Sequence, residues 1–179
     1  MAKGFNCIGF DTDRLFLKPL SLVHLSQHYV DWMNDEEVNK YLESGGNYSL
    51  ELLKDYLFDV EKNNILFWGI HKKKGNKHIG NIKIDPIDNS ILSAEYGIMM
   101  GDKEEWGKGY AKEASVAVIE YCFNKLGLHQ ITLGVKKENI NAVKLYQKLN
   151  FKQYDSSDFS YSGIENNSDS IRMIIKNDK

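Results

Sequence analysis

The chain has 179 residues, with 23 Lys and Arg against 25 Asp and Glu, and therefore a formal net charge of −2. Its hydrophobic content of 42% is sufficient for a core without disulfides or metal ions, which excludes a mainly disordered protein. The slight acidic excess argues against a general nucleic-acid binder but allows a small anionic ligand at one locally positive site.

Cysteine usage and the absence of long apolar runs favour a single domain in a reducing compartment. Cys7 and Cys122 are the only cysteines, and they form no Cys-x-x-Cys pair. The polar N-terminus does not resemble a signal sequence, and no run of about 18 apolar residues predicts a membrane helix. We expect one cytoplasmic domain over residues 1–179, a monomer or homodimer, with no nucleic-acid or membrane partner.

The first third of the chain predicts a strand followed by helices. Alternation of apolar and polar residues from Arg14 to Pro19 is typical of a half-buried strand. Apolar residues then recur every three or four positions from Leu22 to Met33, which predicts an amphipathic helix with Ser21 as its N-cap. A short helix over 34–42 and a longer one over 49–60, capped by its first serine, complete this part.

The middle of the chain predicts three strands. An apolar run over 65–71 and an alternating segment over 79–84 predict the two arms of a hairpin. The Lys-rich segment between them predicts a solvated turn, so we expect His71 and His78, which flank it, at the surface. A turn over 85–90 then precedes a further strand, which we place at 92–100.

The remaining segments alternate between strands and helices. A polar loop over 101–109 opens a long helix over 110–126, for which Gly127 is a natural stop. A strand, a helix and two closing strands follow at 130–135, 139–149, 151–154 and 171–175. Hairpins within such an alternation imply an α/β fold of mixed α+β character, with a mixed sheet and helices on both faces.

The loop before the long helix has the features of an anion site. Free N–H groups and the positive end of the dipole lie at a helix start. Gly107 and Gly109 allow the backbone to approach a phosphate closely, while Lys108 and Lys112 add positive charge. The pattern is neither a P-loop nor a dinucleotide fingerprint, and a turn whose glycines serve packing explains it equally well.

Residues 106–111, with the strand before them, resemble the acyl-CoA-binding motif of the GNAT N-acetyltransferase superfamily, although Trp106 stands where Arg or Gln is usual. Asn139 to Phe151 is similar to the superfamily's pattern Asn-x-x-Ala-x-x-Leu-Tyr-x-Lys-x-Gly-Phe, with Asn150 in place of Gly. Asn tolerates the left-handed conformation that such a turn requires. Asp13 to Leu20 resembles the opening of the ribosomal-protein alanine N-acetyltransferase-like branch. The three segments occur in the expected order over residues 11 to 154.

The resemblance implies a mostly antiparallel, twisted mixed sheet that splays where acetyl-CoA binds, and transfer of its acetyl group to a primary amine. The implied acetyl-CoA site has three parts: the strand backbone for the pantetheine amides, the glycine loop for the pyrophosphate, and a polar helix start for the CoA arm. These parts comprise Ile98, Met99 and Met100; Trp106, Gly107, Lys108, Gly109, Tyr110 and Ala111; and Asn139.

The resemblance also implies two catalytic side chains. Tyr146 is the candidate acid that protonates the leaving thiolate, with an inward-facing packing residue as the alternative. Glu95 is the candidate base for the amine, although a water chain is an open alternative and the carboxylate could also be a solvated group on a strand face. A backbone N–H near Met99 or Met100 would stabilise the oxyanion.

The acceptor site is expected in the segments with the least motif content, 32–48 and 156–169, with Trp32, Tyr41 and Glu95 as candidate contacts. A small amine, an amino sugar or a protein N-terminus would serve as acceptor. No metal site is predicted, since only His24, His28 and Asp31 share a predicted helix face. A non-catalytic acyl-CoA-binding module and a mononucleotide-binding protein are the alternatives.

Overall fold

An eight-stranded sheet forms the centre of the computed structural model, which describes residues 5–42, 46–154 and 169–177. Its strands are β1 (Phe10–Asp11), β2 (Leu15–Pro19), β3 (Leu66–Lys72), β4 (His78–Asp88), β5 (Ser93–Met100), β6 (Gln130–Lys136), β7 (Lys152–Tyr154) and β8 (Ser170–Lys176). They are arranged in the order β1-β2-β3-β4-β5-β6-β8-β7. Among these strands only β5 and β6 pair in parallel, so the predicted mixed, mostly antiparallel sheet is confirmed.

Five α-helices accompany the described part of the sheet. They are α1 (Gln27–Asn34), α2 (Glu36–Asn39), α3 (Leu50–Lys62), α4 (Tyr110–Tyr121) and α5 (Ile140–Lys148). The long predicted helix after the glycine loop is present as α4, and it widens into a π-helical turn over Cys122–Leu126 before Gly127 ends it at φ 73°. The Ser49 cap of α3 is also confirmed, because its side chain accepts a hydrogen bond from the N–H of Leu52.

Strand β1 was not predicted, α2 is shorter than the helix predicted over 34–42, and two further element boundaries differ from the prediction. Leu22–His24 forms a separate 3-10 turn, and α1 begins only at Gln27, because the side chain of Ser26 accepts the N–H of Tyr29 and caps the helix there. Strand β4 continues through part of the expected turn, as far as Asp88, with a register shift between Ile84 and Ile87.

Hydrophobic clusters lie on both faces of the sheet. One packs α4 and α5 against the sheet and includes Trp68 and Val118; the other packs α1 and α3 against it and includes Leu53 and Leu57. Complete burial of a leucine such as Leu57 contributes roughly 1.5–3 kcal/mol to folding. The prediction of helices on both faces is therefore confirmed. Within the described residues, no helix combines the length and apolarity needed to cross a membrane.

The histidines that flank the β3–β4 turn are not at the surface, contrary to prediction. His71 is 9% exposed, and its ring stacks on that of His78 with centroids 4.8 Å apart. His24 closes the cluster, with its Nε2 3.1 Å from Nε2 of His71. Gly69 makes this packing possible, because a Cβ there would lie 2.6 Å from the His24 ring nitrogen. The prediction from the lysine-rich turn was therefore wrong for these histidines, which belong to a buried aromatic cluster.

Candidate active site

Strands β5 and β6 separate at the centre of the sheet. Their parallel pairing covers Ser93 to Glu95 against Gln130 to Thr132 and then stops. From Tyr96 to Met100, β5 has no partner on this side among the described strands, although β4 still pairs with its other edge. The predicted splay is thus present, and it leaves an unpaired strand edge of the kind that an extended, amide-bearing ligand can join.

The loop that follows β5 leads its backbone into the start of α4. Gly107 and Gly109 have φ angles of 74° and 83°, which favour glycine strongly. A Cβ at Gly107 would meet no atom within 4 Å, so the conformation and not crowding requires the glycine, and the space beside the loop is open. Gly109 is the N-cap of α4 and offers no side chain to satisfy the first amides. This arrangement provides N–H donors for an anion.

Ion pairs fasten this loop to the β3–β4 hairpin. The ammonium nitrogen of Lys72 lies 2.6 Å from Oε1 of Glu105, and that of Lys77 lies 2.6 Å from Oδ2 of Asp102. Both carboxylates are buried, and the hydrogen bond from Lys72 is the main cause that lowers the pKa of Glu105. The Lys-rich turn is therefore not simply solvated: two of its lysines anchor the loop. Sequence reasoning missed this because only the tertiary structure brings turn and loop together.

Further contacts fix the two ends of the loop. The indole nitrogen of Trp106 donates a 2.8 Å hydrogen bond to the carbonyl oxygen of Met100, which ties the loop to the end of β5. Arg14 donates to the carbonyl oxygen of Lys108 at 3.1 Å, and its guanidinium lies 4.4 Å from the ring centroid of Tyr110. Arg14 was not predicted as a site residue. The ammonium group of Lys108 lies 3.0 Å from Glu105, so part of its charge is already balanced.

Tyr146 lies on α5, beside the point where the strands separate. Its ring centroid is 5.8 Å from that of Tyr96 on β5 and 5.9 Å from that of Phe151. The side chain is 7% exposed, and burial raises its pKa to about 12. The hydroxyl therefore stays protonated at neutral pH and is a hydrogen-bond donor. Within the described part of the chain, no other side chain hydrogen-bonds to it.

The start and end of α5 follow the predicted pattern. The side-chain oxygen of Asn139 accepts the N–H of Ala142 at 3.2 Å, so it caps the helix as expected. Asn150 adopts φ 68°, the left-handed conformation predicted for it. The contact of Asn139 with the CoA arm stays a prediction.

Glu95 lies on β5 at the last paired position before the splay. Because side chains alternate along a strand, it is on the opposite face from Tyr96 and therefore from Tyr146. Its carboxylate is 19% exposed and forms a bidentate pair with Arg172, at 2.7 and 2.6 Å. It also accepts the hydroxyl of Thr132 at 2.7 Å. The carboxylate is thus not a solvated group on a strand face, and its pairing residues were not singled out from the sequence.

The remaining candidate residues occupy less distinctive places. Trp32 is 4% exposed, and a Cβ at Gly101 would overlap its indole ring, so it packs under the start of the loop. Tyr41 is half-buried, with the ammonium group of Lys40 5.0 Å from its ring centroid. Of the predicted acceptor segment 156–169, all but Asp169 falls outside the described residues. No group of three or more potential metal ligands occurs in the described ranges.

Comparisons with known proteins agree with this geometry. A family model described as the acetyltransferase (GNAT) domain matches residues 14–152. The uncharacterized N-acetyltransferase p20 of Bacillus licheniformis is 30% identical over 149 residues, which cover 79% of this chain and 81% of that protein. A spermidine N-acetyltransferase from Vibrio cholerae, crystallised with CoA and spermine, has a TM-score of 0.77 at 24% identity, over 92% of this chain and 96% of that one. A GNAT-family acetyltransferase from Bacillus anthracis has a TM-score of 0.76 at 19% identity, over 94% of this chain and 98% of that one.

The site combines a splayed mixed sheet with a glycine loop at the start of a helix. This arrangement and the matches indicate the class of acyl-CoA-dependent transferases. The chain belongs to the GNAT family of acetyltransferases. It is an acetyl-CoA-dependent N-acetyltransferase, as the resemblance of its three motifs predicts.

Proposed function

We propose that this protein transfers the acetyl group of acetyl-CoA directly to a primary amine in a ternary complex, with Tyr146 and Glu95 on opposite sides of the reacting thioester. The position of both residues beside the β5–β6 splay carries the proposal, since each lies on a different face of the sheet at the same point. The thioester would enter along the unpaired edge of β5, and the amine would approach from the face that holds Glu95.

The unpaired edge of β5 and the loop supply the binding contacts in this proposal. The backbone of Ile98 to Met100 would hydrogen-bond the pantetheine amides, and the residues 106–111 would hold the pyrophosphate. A backbone N–H near Met99 or Met100 would donate to the oxyanion as the carbonyl carbon becomes tetrahedral. The CoA arm would contact Asn139 at the start of α5.

In the reaction, the neutral amine nitrogen attacks the thioester carbon, a C–N bond forms and the C–S bond breaks. The amine nitrogen loses one proton towards Glu95, directly or through water, and the departing sulfur gains one. Burial raises the pKa of the Tyr146 phenol to about 12, above the ordinary value of about 8.5 for a thiol, so proton transfer from this phenol to the leaving thiolate is unfavourable. We therefore assign Tyr146 the hydrogen bond that stabilises the leaving sulfur. The sulfur departs as a thiolate and takes a proton from water, and Glu95 returns the proton of the amine to water, so that the products are the amide and the free thiol.

The acceptor belongs to one of three classes: a small amine, an amino sugar or a protein N-terminus. Polyamines are included in the first class because the Vibrio cholerae neighbour was crystallised with spermine. The acidic excess of the chain agrees with a cationic acceptor.

Thiol release with a panel of amines tests the function. The protein is incubated with acetyl-CoA and polyamines, amino sugars or N-terminal peptides, and free CoA is measured with a thiol reagent. Amine-dependent CoA release with an acetylated product identified by mass spectrometry supports the proposal. Tight acetyl-CoA binding without release across the panel would instead support a non-catalytic acyl-CoA-binding module.

A further inference from the structure

The ion pair of Glu95 spans three strands at the point where the sheet opens. Arg172 is on β8 and Glu95 on β5, while β6 lies between them. The two guanidinium nitrogens Nη1 and Nη2 reach Oε1 and Oε2 at 2.7 and 2.6 Å, in the planar fork geometry that arginine forms with carboxylates. The pair therefore crosses the intervening strand at the last paired position of β5 and β6.

A glycine on β6 gives the guanidinium room to cross. Gly134 is opposite Arg172 in the β6–β8 register, and a Cβ at this glycine would lie 3.0 Å from Nη1. Its neighbour on the same face, Thr132, is paired with Glu95 and donates its hydroxyl to Oε2. Both β6 residues are therefore suited to bringing the guanidinium and the carboxylate together.

The pairing leaves limited hydrogen-bonding capacity at Glu95. An ionised carboxylate offers about four acceptor sites. Among the described residues, Arg172 uses two of these sites and Thr132 uses one, which leaves one site, on Oε1. Burial works against the charge of the guanidinium, but the hydrogen bonds and attraction of Glu95 more than offset this and raise the pKa of Arg172 above its ordinary value.

We propose that Arg172 is a positioning residue, which orients the carboxylate of Glu95 so that its remaining acceptor site receives a hydrogen from the acceptor amine or from a bridging water. The role rests on the proposed acetyl transfer, because it acts on the amine of that reaction. Gly134 provides the space that the guanidinium of Arg172 needs to cross β6. A residue that only fastened β8 to β5 would not affect the amine selectively.

A double-mutant cycle tests whether Arg172 acts through Glu95. Arg172→Met is expected to lower kcat/KM for the amine by about tenfold or more, because the carboxylate loses its fixed orientation. The dissociation constant for acetyl-CoA should change less than about twofold. Arg172→Lys keeps the charge but not the fork, so its loss should be intermediate. The double variant with Glu95→Gln should be no slower than the slower single variant, whereas additive losses would overturn the proposal.

Crystal structures provide a readout that does not require turnover. In Arg172→Met, the Glu95 carboxylate is expected to move by about 1 Å or more while β5 and β6 keep their positions. An unmoved carboxylate, or a general separation of the strands, would overturn the positioning role. If Arg172→Met does not fold, the smaller substitution Gly134→Ala serves instead, because its Cβ should displace the guanidinium. The same criteria then apply to the Glu95 carboxylate. Failure of the wild type to release CoA with any amine counts against the proposed function, whereas the crystal structures still decide the positioning of Glu95.

Discussion

At the residue scale, backbone angles distinguish two glycines, one of which lies at the proposed pyrophosphate site. Gly107 has φ 74°, and a side chain in this region costs roughly 1–2 kcal/mol. Gly127 has φ 73° and, like Gly107, open space at its Cβ position. It lies at the other end of the helical segment that begins at Gly109. The two glycines therefore form a matched pair, one beside the proposed pyrophosphate site and one remote from it.

We predict that Gly107→Ala and Gly127→Ala lower the free energy of unfolding by similar amounts, about 1 kcal/mol each. Only Gly107→Ala should weaken acetyl-CoA binding, by about tenfold, because it alters the loop whose amides would face the pyrophosphate. Denaturation curves and isothermal titration calorimetry measure the two effects. Equal acetyl-CoA affinities in the two variants would contradict the assignment of this loop.

The second prediction at this scale concerns the hydroxyl of Tyr146. Tyr146→Phe should lower kcat by about 10- to 100-fold, since it removes the donor proposed to stabilise the leaving sulfur. The ring contacts with Tyr96 and Phe151 would persist, so acetyl-CoA affinity and melting temperature should change little. Steady-state kinetics with the best amine of the panel provide the test, and an unchanged kcat would exclude this role for the hydroxyl.

At the scale of elements, the hairpin of β3 and β4 acts as a support for the loop after β5. Lys72 and Lys77 reach across from this hairpin to buried carboxylates of the loop. The neighbouring Lys73 instead pairs with Asp11, at the β1 edge of the sheet, where the carboxylate is 62% exposed. Two adjacent lysines thus serve different elements.

We predict that Lys72→Met weakens acetyl-CoA binding by about three- to tenfold, because Glu105 loses one of its two cationic partners and the loop is held less firmly. Lys73→Met, the control, removes the same charge one residue away and should leave the affinity within about twofold. Titration calorimetry at one ionic strength compares the two. The support role of the hairpin would be refuted by equal losses in both variants.

At the scale of the whole molecule, a histidine cluster joins the sheet to the layer of α1 and α3. His24, His71 and His78 contact one another, and the last also packs against the ring of Trp32 at 5.0 Å. Burial, followed by repulsion from His71, lowers the pKa of His24 from 6.5 to about 4. Burial likewise lowers the pKa of His78 to about 3. The folded state therefore holds these rings neutral.

This cluster predicts an acid-sensitive fold. Between about pH 6.5 and 4 the unfolded chain binds protons that the folded His24 does not, so stability falls as pH falls through this range. Each such histidine lowers the free energy of unfolding by about 1 kcal/mol between pH 7.5 and 5.5. The melting temperature falls by about 2–4 °C for each kcal/mol that is lost. Melting curves should show a smaller decline for His24→Gln, whereas replacement of the exposed His129 by Gln should leave the decline unchanged. A flat profile in the wild type would contradict this account.

Much of the fold followed from local patterns. Strand alternation, the Ser49 cap, the Gly127 stop and the left-handed Asn150 each depend on a few neighbouring residues, so sequence alone predicted them. The boundaries that differed, at Ser26 and in β4, depend on competing local hydrogen bonds and on a register shift against a partner strand. The three motifs likewise gave the family, because each is a short segment with a fixed internal spacing.

The sequence by itself determined the class of protein, the glycine loop and the candidate pair Tyr146 and Glu95. Only the tertiary structure decided what surrounds them: that Arg172 and Thr132 hold the carboxylate of Glu95, and that Lys72 and Lys77 anchor the loop. These partners are 25 or more positions away in the sequence from the groups they contact, and they become neighbours only when the sheet forms. The conformation of the loop depends on the dihedral angles of adjacent residues, which the local sequence fixes. Which charged groups pair depends on which strands lie side by side, and that arrangement exists only in the folded sheet.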